Sequence, residues 1–286
     1  MDSKNFETYA ENTWCPGCGN FGIEIAIKQV FAELINEKRI KKENLVILSG
    51  IGCHGKITDY INANSFYSLH GRVIAPATGI KLANPKLTVV GFEGDGDAYG
   101  EGLSHLIFAA KRNSDITIII HDNRNYALTT GQFTPTSPKG FKGNSTPEGS
   151  LEEPFNPLEL MLASGATLIS RTFTGLPNHF KKTVKQAILH KGFSFVDVLQ
   201  PCVSFYNTSE LYREMIYDLK NHKASDENTA IKKIKEWNYL NGEKRKIPIG
   251  LFYKINKPTF EQNLIGKRNP YNLPIASIKN MLKKYI

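Results

Sequence analysis

The sequence lacks any segment typical of a membrane-spanning or exported protein. No apolar run approaches the ~18 residues that a transmembrane helix needs. The N-terminal stretch MDSKNFETYAEN carries acidic side chains where an export signal has a basic start and an apolar centre. We therefore expect a cytoplasmic protein that does not cross a membrane.

Cysteine is scarce, with four among 286 residues. Cys15 and Cys18 form a CxxC pair, whereas Cys53 and Cys202 are single. A zinc site with this spacing is expected to have a second CxxC pair, and a thioredoxin-like redox pair follows a strand, which the polar residues before Cys15 do not predict. In a reducing compartment, four thiolates from distant loops can also hold an iron–sulfur cluster. The spacing alone leaves zinc, redox and iron–sulfur chemistry open.

Acidic residues are outnumbered by basic ones, 27 to 36, so the formal net charge is +9. Positive charge steers a protein toward acidic partners. Nucleic acid is one such partner, but the basic residues cluster late in the chain and no basic–aromatic recognition motif accompanies them. We therefore expect no nucleic-acid partner.

The residues that are present predict an α/β fold. The predicted strands are β-branched apolar runs, as in parallel strands buried on both faces, at residues 45–49, 87–92, 116–121, 167–171 and 194–199. Helical patterns separate them, and the apolar residues of the first helix are Ile23, Ile27, Val30, Phe31 and Leu34. This alternation predicts a doubly wound, mainly parallel sheet with helices on both faces.

A Gly-Asp-Gly turn and an asparagine follow two neighbouring predicted strands. Gly94-Asp95-Gly96 leaves one strand, Asn123 leaves the next, and 26 residues (positions 97 to 122) lie between Gly96 and Asn123. Because parallel strands end at the same edge of a sheet, both side chains are expected at one point. An Asp, an Asn and a main-chain carbonyl form half of an octahedral Mg2+ shell, which water and phosphate oxygens complete. The pattern predicts a Mg2+–diphosphate site.

Simpler interpretations of these residues remain open. Asp95 alone could cap a helix, and Asn123 alone could form an Asx turn. A dinucleotide fingerprint is disfavoured because Tyr99 stands where its third glycine is needed. The pairing of Asp95 with Asn123 at matching strand ends favours the Mg2+ site.

A second loop, from Gly50 to Lys56, nearly matches a nucleotide-binding P-loop. Ile57 stands where such a loop needs a Ser or Thr hydroxyl for Mg2+, so we discount ATP and GTP. Lys56 is a candidate catalytic residue that anchors a substrate carboxylate, or else a solvated lysine. His70, in the next loop, can hydrogen-bond a phosphate or be an ordinary loop histidine.

Two long segments follow the predicted core. Residues 133–153 are rich in Pro, Gly, Ser and Thr, and long loops of this kind near a site often act as lids. From residue 209 the pattern changes to charged helices and Lys-rich coil. We therefore predict one domain over residues 1–206 and an extension over residues 207–286 that packs on a partner subunit or forms a solvated tail.

Over about residues 10–206 the chain resembles the beta subunit of 2-oxoacid:ferredoxin oxidoreductases. The resemblance rests on the motifs WCPGCGN, GIGCHGK, SLHGR followed by GIKLANP, GDGD with HDNRNYALTTGQ, and LQPC. It implies a thiamine-diphosphate-binding fold with three cofactors: thiamine diphosphate, Mg2+ and a [4Fe-4S] cluster.

The resemblance also implies which residues bind these cofactors. The cluster ligands are Cys15, Cys18, Cys53 and Cys202. The Mg2+ ligands are Asp95, Asn123 and the carbonyl of Asn125. The contacts with thiamine diphosphate are Ile51, Gly52, Cys53, His54, His70, Gly96, Asp97, Ala127 and Leu128. Ala127 replaces the family's usual glycine, and Thr130 stands where relatives often have Lys or Gly, a position that concerns substrate preference.

The activity that the resemblance implies is the coenzyme A-dependent oxidative decarboxylation of a 2-oxoacid. The substrate is pyruvate, 2-oxoglutarate or a broad range of 2-oxoacids, and electrons pass through the [4Fe-4S] cluster to ferredoxin. An alpha subunit, in a heterodimer or a dimer of heterodimers, provides the Glu beside the pyrimidine ring. Two other functions stay open: a non-oxidative decarboxylase subunit, and a zinc-stabilised binding module.

Overall fold

A computed structural model of the chain describes residues 1–237, 239, 246–274, 277, 278, 282, 283 and 285. Its strands are β1 Leu45–Ser49, β2 Asn64–Tyr67, β3 Thr88–Gly94, β4 Thr117–Asp122, β5 Leu168–Phe173, β6 Ser194–Leu199, β7 Ile216–Asp218 and β8 Ile247–Lys254. They form one sheet in the order β2-β1-β3-β4-β6-β5-β8-β7. Only the β5–β8 pair of this sheet is antiparallel.

Helices cover both faces of the sheet, as the sequence predicts. They are α1 Gly19–Asn36, α2 Ile57–Tyr60, α3 Ile74–Ala83, α4 Leu103–Arg112, α5 Pro157–Ala163, α6 Pro177–Leu189, α7 Ser209–Met215, α8 Glu227–Ile234 and α9 Phe260–Ile265. One hydrophobic core lies between the sheet and α1 with α6, and a second lies between the sheet and α3, α4, α5 and α8. Among the described residues, no helix has both the length and the hydrophobicity to cross a membrane.

The apolar runs form the central strands because each side of them meets a helical layer. In β4, Ile119 contributes to the first core, whereas its neighbours Ile118 and Ile120 contribute to the second. This alternation follows from the period of two in a strand. The predicted apolar residues of α1 are all fully buried, so that prediction is confirmed.

The strand order reverses next to β1, which has β2 on one side and β3 on the other. In open α/β sheets, the crevice beyond the carboxyl ends of strands at such a point is where ligands bind. The residues after β1 and β3 border this crevice, and β4 and β6 end at the same edge because they run parallel to β3.

The segment after residue 206 contains strands that the sequence interpretation missed. β8 pairs with β5, and β7 pairs with β8, so the segment extends the sheet rather than forming only helices and coil. β8 carries Pro248 and Gly250, residues that ordinarily argue against a strand. Part of the predicted extension lies outside the described residues, and its packing on a partner subunit stays a prediction.

Candidate active site

One pocket beyond the carboxyl ends of β1, β3 and β4 contains every residue with a predicted diphosphate or Mg2+ contact. It is lined by Ile51, Gly52, Cys53, His54, His70, Gly94, Asp95, Gly96, Asp97, Asn123, Asn125, Tyr126, Ala127, Leu128 and Thr129. We call it the diphosphate pocket. The ends of four strands, β1 to β4, and the loops that follow them supply these residues, so the sheet itself brings them together.

Asp97 is the centre of a polar network in the diphosphate pocket. Its Oδ2 lies 3.1 Å from His54 Nε2, its Oδ1 lies 2.9 Å from His70 Nδ1, and the Gly71 N–H donates to Oδ1 at 2.6 Å. Burial disfavours the carboxylate charge, but these partners outweigh it and lower the pKa of Asp97 to about 2. The hydrogen bond with Asp97 also raises the pKa of His70. A protonated His70 keeps Nε2 as a donor for an anionic ligand.

Asp95 is buried behind the glycine turn, where two threonines hold it. The hydroxyls of Thr134 and Thr136 donate to Asp95 Oδ2 at 2.5 and 2.8 Å. Burial nevertheless raises the pKa of Asp95 to about 6. A divalent cation beside this carboxylate would favour its charged form, because a bound cation is the largest local charge in such a site. Asp95 therefore has the chemistry of a Mg2+ ligand.

Asn123 and Asn125 form a tight turn directly after β4. The Asn125 N–H donates to Asn123 Oδ1 at 3.1 Å, and the Asn125 side-chain amide donates to the Asn123 carbonyl at 2.8 Å. Arg124 between them has a left-handed φ of 58°. Asn125 Oδ1 is buried and accepts no hydrogen bond from the described residues. An unpaired buried oxygen at this place fits a site that a cation and its bound water complete.

Glycine is required at two places around the pocket. A Cβ at Gly96 would lie 2.1 Å from the Tyr126 ring, and a Cβ at Gly50 would lie 1.8 Å from Asp97 Oδ2. After the Gly-Asp-Gly turn the backbone continues as a π-helical turn over Gly96–Glu101, a rare geometry that is frequent at functional sites. Gly96 lines the diphosphate pocket, and without a side chain its backbone is open to that pocket.

A second cavity, of about 170 Å³, brings the four cysteines together, and we call it the cysteine cavity. Cys15 and Cys18 lie just before α1, Cys53 lies after β1, and Cys202 lies after β6. Cys53 and Cys202 meet because both follow parallel strands of one sheet. The structure therefore assembles all four predicted cluster ligands, whereas their binding of a cluster stays a prediction.

The four cysteines line one cavity but do not form the ligand set of a single metal ion. In the part of the chain that the structure describes, no group of three or more His, Cys, Asp or Glu residues surrounds one point as the ligands of a metal ion do. A [4Fe-4S] cluster takes four thiolates, one on each iron, so its ligands are spread around a cavity. The cysteine cavity has that number of cysteines in its lining, and a cluster there stays a prediction.

The cysteine thiols are close enough to influence one another. Burial raises the pKa of Cys18 and, with added repulsion from Cys18 and Cys202, raises the pKa of Cys53 to about 11. Ionising several of these thiols together therefore requires positive charge in the cavity, which the irons of a cluster would supply.

Two side chains donate toward cysteine sulfurs. Gln200 Nε2 lies 3.6 Å from Cys18 Sγ, and Ser204 Oγ lies 3.5 Å from Cys15 Sγ. Hydrogen bonds to the sulfurs are one of the factors that set the potential of an iron–sulfur cluster. Both residues also line the cysteine cavity, so they are suited to that role.

Lys56 lies on the wall of the cysteine cavity and is absent from the lining of the diphosphate pocket. Its Nζ donates to Thr13 Oγ1 at 2.8 Å. Its charge also favours the ionised form of Cys53. The predicted role of Lys56 in anchoring a substrate carboxylate stays a prediction.

The two cavities share a wall. Cys53, Asn123, Ala127 and Leu128 line both of them. A group bound in one cavity is therefore separated from a group in the other by single side chains.

Two family models match the chain. Residues 50–198 match the C-terminal TPP-binding domain of thiamine pyrophosphate enzymes, and residues 202–268 match the C-terminal part of the pyruvate ferredoxin oxidoreductase beta subunit. The 2-oxoacid:ferredoxin oxidoreductase 1 subunit beta of Aeropyrum pernix is 41% identical over 282 residues, covering 93% of this chain and 85% of that protein. This chain belongs to the beta subunits of 2-oxoacid:ferredoxin oxidoreductases. It therefore carries the thiamine-diphosphate-binding domain of an oxidoreductase.

Other members of the family are similarly close. The 2-oxoglutarate synthase subunit KorB of Methanocaldococcus jannaschii is 37% identical over 251 residues, which cover 88% of this chain and 90% of KorB. The solved 2-oxoglutarate:ferredoxin oxidoreductase from Magnetococcus marinus, with 2-oxoglutarate, coenzyme A and succinyl-CoA bound, matches with a TM-score of 0.89 and 34% identity. That match covers all of this chain and 96% of the other. The predicted family and fold are confirmed.

The sequence interpretation missed several residues of the site in this beta subunit. Thr134 and Thr136 bind Asp95, although they belong to the loop that was predicted only as a possible lid. Trp14 Nε1 donates to the Cys53 carbonyl at 2.6 Å. Hydroxyl residues are common in loops, so nothing in the sequence distinguished these threonines. Gln200 was the easiest to find, because it lies two positions before Cys202.

Proposed function

We propose that this beta subunit binds thiamine diphosphate with Mg2+ in the diphosphate pocket and a [4Fe-4S] cluster in the cysteine cavity. With an alpha subunit it oxidatively decarboxylates a 2-oxoacid to acyl-CoA and CO2 and delivers the electrons to ferredoxin. The observation that carries the proposal is the shared wall of Cys53, Asn123, Ala127 and Leu128. A redox cluster so close to the cofactor pocket is suited to removing electrons one at a time.

In the diphosphate pocket each residue has a separate task. Asp95, Asn123 and Asn125 would hold Mg2+, and His70 with the Gly96 backbone would bind phosphate oxygens. Asp97 orients His54 and His70 through the network described above. Thiamine diphosphate supplies an electron sink that allows a 2-oxoacid to lose CO2. The protein's part is to hold the cofactor in place and neutralise its charge.

A partner subunit is needed to complete the site. Within the described part of the chain, no Glu lines either the diphosphate pocket or the cysteine cavity. Family resemblance assigns the Glu beside the pyrimidine ring to an alpha subunit. The name subunit beta among the relatives supports the same assembly.

The substrate is a 2-oxoacid. Some relatives are named for 2-oxoacids in general and others for 2-oxoglutarate, so their names do not identify which one. The +9 charge would speed the approach of an acidic ferredoxin at low ionic strength. We expect pyruvate, 2-oxoglutarate or a broad range of 2-oxoacids to be turned over.

The proposal is tested by expressing the chain alone and together with an alpha subunit. Iron, acid-labile sulfide and zinc are measured, and CO2 release and ferredoxin reduction are assayed with pyruvate, 2-oxoglutarate and branched 2-oxoacids. We expect about four irons and four sulfides per chain and turnover only with the alpha subunit. Zinc in place of iron would support a binding module, and CO2 release without iron would support a non-oxidative decarboxylase.

A further inference from the structure

A buried polar layer lies directly behind Asp95. Thr136 Oγ1 is 2.8 Å from Asp95 Oδ2 and 3.0 Å from Asp122 Oδ1, so one hydroxyl joins two carboxyl groups. Thr136 and Asp122 are both fully buried. Asp122 is the last residue of β4 and immediately precedes Asn123. The hydroxyl of Thr136 thus connects the Gly-Asp-Gly turn to the strand end that carries Asn123.

The layer continues into the C-terminal segment. Tyr239 Oη lies 2.9 Å from Asp122 Oδ2 and 3.1 Å from Asp197 Oδ2. Asp197 Oδ2 also accepts from Arg171 Nε at 2.8 Å, and both members of this ion pair are fully buried. A chain of hydrogen bonds therefore runs from Asp95 through Thr136 and Asp122 to Tyr239.

Packing holds Tyr239 at the end of this series of hydrogen bonds. Its ring stacks on Trp237 with a centroid distance of 4.0 Å. The guanidinium groups of Arg124 and Arg171 lie 5.1 and 5.5 Å from the centre of the Tyr239 ring. Arg124 Nε also donates to the Thr136 carbonyl at 2.7 Å. Stacking and cation–π contacts therefore restrain Tyr239, and the Arg124 hydrogen bond restrains Thr136.

We propose that Thr136 and Tyr239 are positioning residues that hold the Asp95 carboxylate in the orientation for Mg2+. The C-terminal segment would then be part of the cofactor site, although none of its described residues lines the diphosphate pocket. The proposal rests on the proposed function, because it takes Asp95 as a Mg2+ ligand. Groups that orient metal ligands ordinarily change metal affinity roughly 10- to 100-fold when they are removed.

The test measures the Mg2+ dissociation constant of the assembled alpha–beta complex by calorimetry, with thiamine diphosphate present. We expect Thr136→Val to weaken Mg2+ binding roughly 10- to 100-fold, because valine keeps the shape but has no hydroxyl. Thr136→Ser should restore most of the affinity. Tyr239→Phe should weaken binding less than Thr136→Val, since its hydroxyl acts through Asp122.

Tyr212→Phe is the matched control. Tyr212 is fully buried in the same cluster and packs on Trp237 with a centroid distance of 6.3 Å. Its hydroxyl interacts with Thr208 and has no hydrogen bond with Asp95, Thr136 or Asp122, so its removal should leave Mg2+ affinity unchanged. Thermal unfolding of each variant without Mg2+ and thiamine diphosphate separates a loss of stability from a loss of affinity.

Asp95→Ala distinguishes failure of the inference from failure of the proposed function. Wild-type Mg2+ affinity in both Thr136→Val and Tyr239→Phe, with affinity lost in Asp95→Ala, overturns the inference alone. Unchanged affinity in Asp95→Ala overturns both proposals. If Thr136→Val does not fold, the Mg2+ affinity of Tyr239→Phe is compared with that of Tyr212→Phe. Equal affinities in these two variants overturn the inference.

Discussion

The diphosphate pocket and the cysteine cavity share a wall but differ in how firmly their side chains are held. In the diphosphate pocket, Asp97 has close contacts with two histidines and one N–H group, and Asp95 accepts from two threonines. In the cysteine cavity, the described contacts of the sulfurs are two long ones at 3.6 and 3.5 Å. In the first, hydrogen bonds hold the ligand side chains themselves, whereas in the second the short hydrogen bonds, such as that from Trp14 to the Cys53 carbonyl, hold the loops.

The difference predicts that the two sites respond differently to loss of a ligand. A pocket with its own hydrogen bonds keeps its shape when its neighbour is damaged. The thiols of the cysteine cavity repel one another, so a bound cluster would contribute to the order of that cavity. Damage to the cluster should therefore leave cofactor binding intact.

The largest expected effect is that of Asp95→Ala in the diphosphate pocket. Removing a charged ligand should weaken Mg2+-dependent binding of thiamine diphosphate by more than the roughly 100-fold upper range for groups that only orient a ligand. Calorimetry on the alpha–beta complex measures it. Asp226→Ala, which removes the N-terminal cap of α8 far from the lining of the pocket in sequence, is the control. Unchanged cofactor affinity in Asp95→Ala would contradict the proposal that Asp95 holds Mg2+ in this pocket.

Cys202→Ser should destroy or alter the cluster without affecting the diphosphate pocket. Serine is a poor ligand for an iron–sulfur cluster, and Asp95 and Asn123 are untouched. Iron and sulfide content, electron paramagnetic resonance of the reduced variant and thiamine diphosphate affinity are measured together. A normal four-iron signal with normal ferredoxin reduction would show that Cys202 is an ordinary buried thiol. Lost cofactor affinity would contradict the independence of the two sites.

Asp97→Asn should lower the pKa of His70 in the complex without cofactors. The hydrogen bond with Asp97 raises the pKa of His70 above 6.5. Protonated His70 therefore stabilises the folded protein below pH 6.5, and this stabilisation is lost as pH rises through the raised pKa. The Asp97 pKa of about 2 lies below its ordinary 3.8, so that group's contribution is lost as pH falls from about 4 toward 2. Histidine titration by nuclear magnetic resonance checks the first shift. An unchanged His70 titration would mean that the network does not organise this pocket.

The smallest expected effect is that of Gln200→Leu in the cysteine cavity. Loss of a donor to Cys18 should make the reduced, more negative cluster less stable and so lower its reduction potential. A potentiometric titration followed by electron paramagnetic resonance measures the shift. Gln29→Leu, on α1 away from the cavity lining, should leave the potential at the wild-type value. Equal potentials in the two variants would contradict a role for Gln200.

Much of the fold follows from local patterns in the sequence. The runs at residues 45–49 and 194–199 form strands with those bounds. Short β-branched apolar runs favour a strand that is buried between two helical layers. β8 escaped prediction since Pro248 and Gly250 interrupt its pattern. Its place was decided by pairing with β5, which local sequence does not encode.

The sequence by itself determined the fold class and the family of this protein and predicted the ligands of the two sites. Spacing predicted Asp95 and Asn123 as Mg2+ ligands, because ligand type depends on residue type, and the family resemblance implied the four cysteines as cluster ligands. Only the tertiary structure decided which groups support those ligands. Thr136 and Tyr239 contact the aspartates across 41 and 117 positions, and such contacts arise from the packing of the sheet rather than from any pattern within a segment.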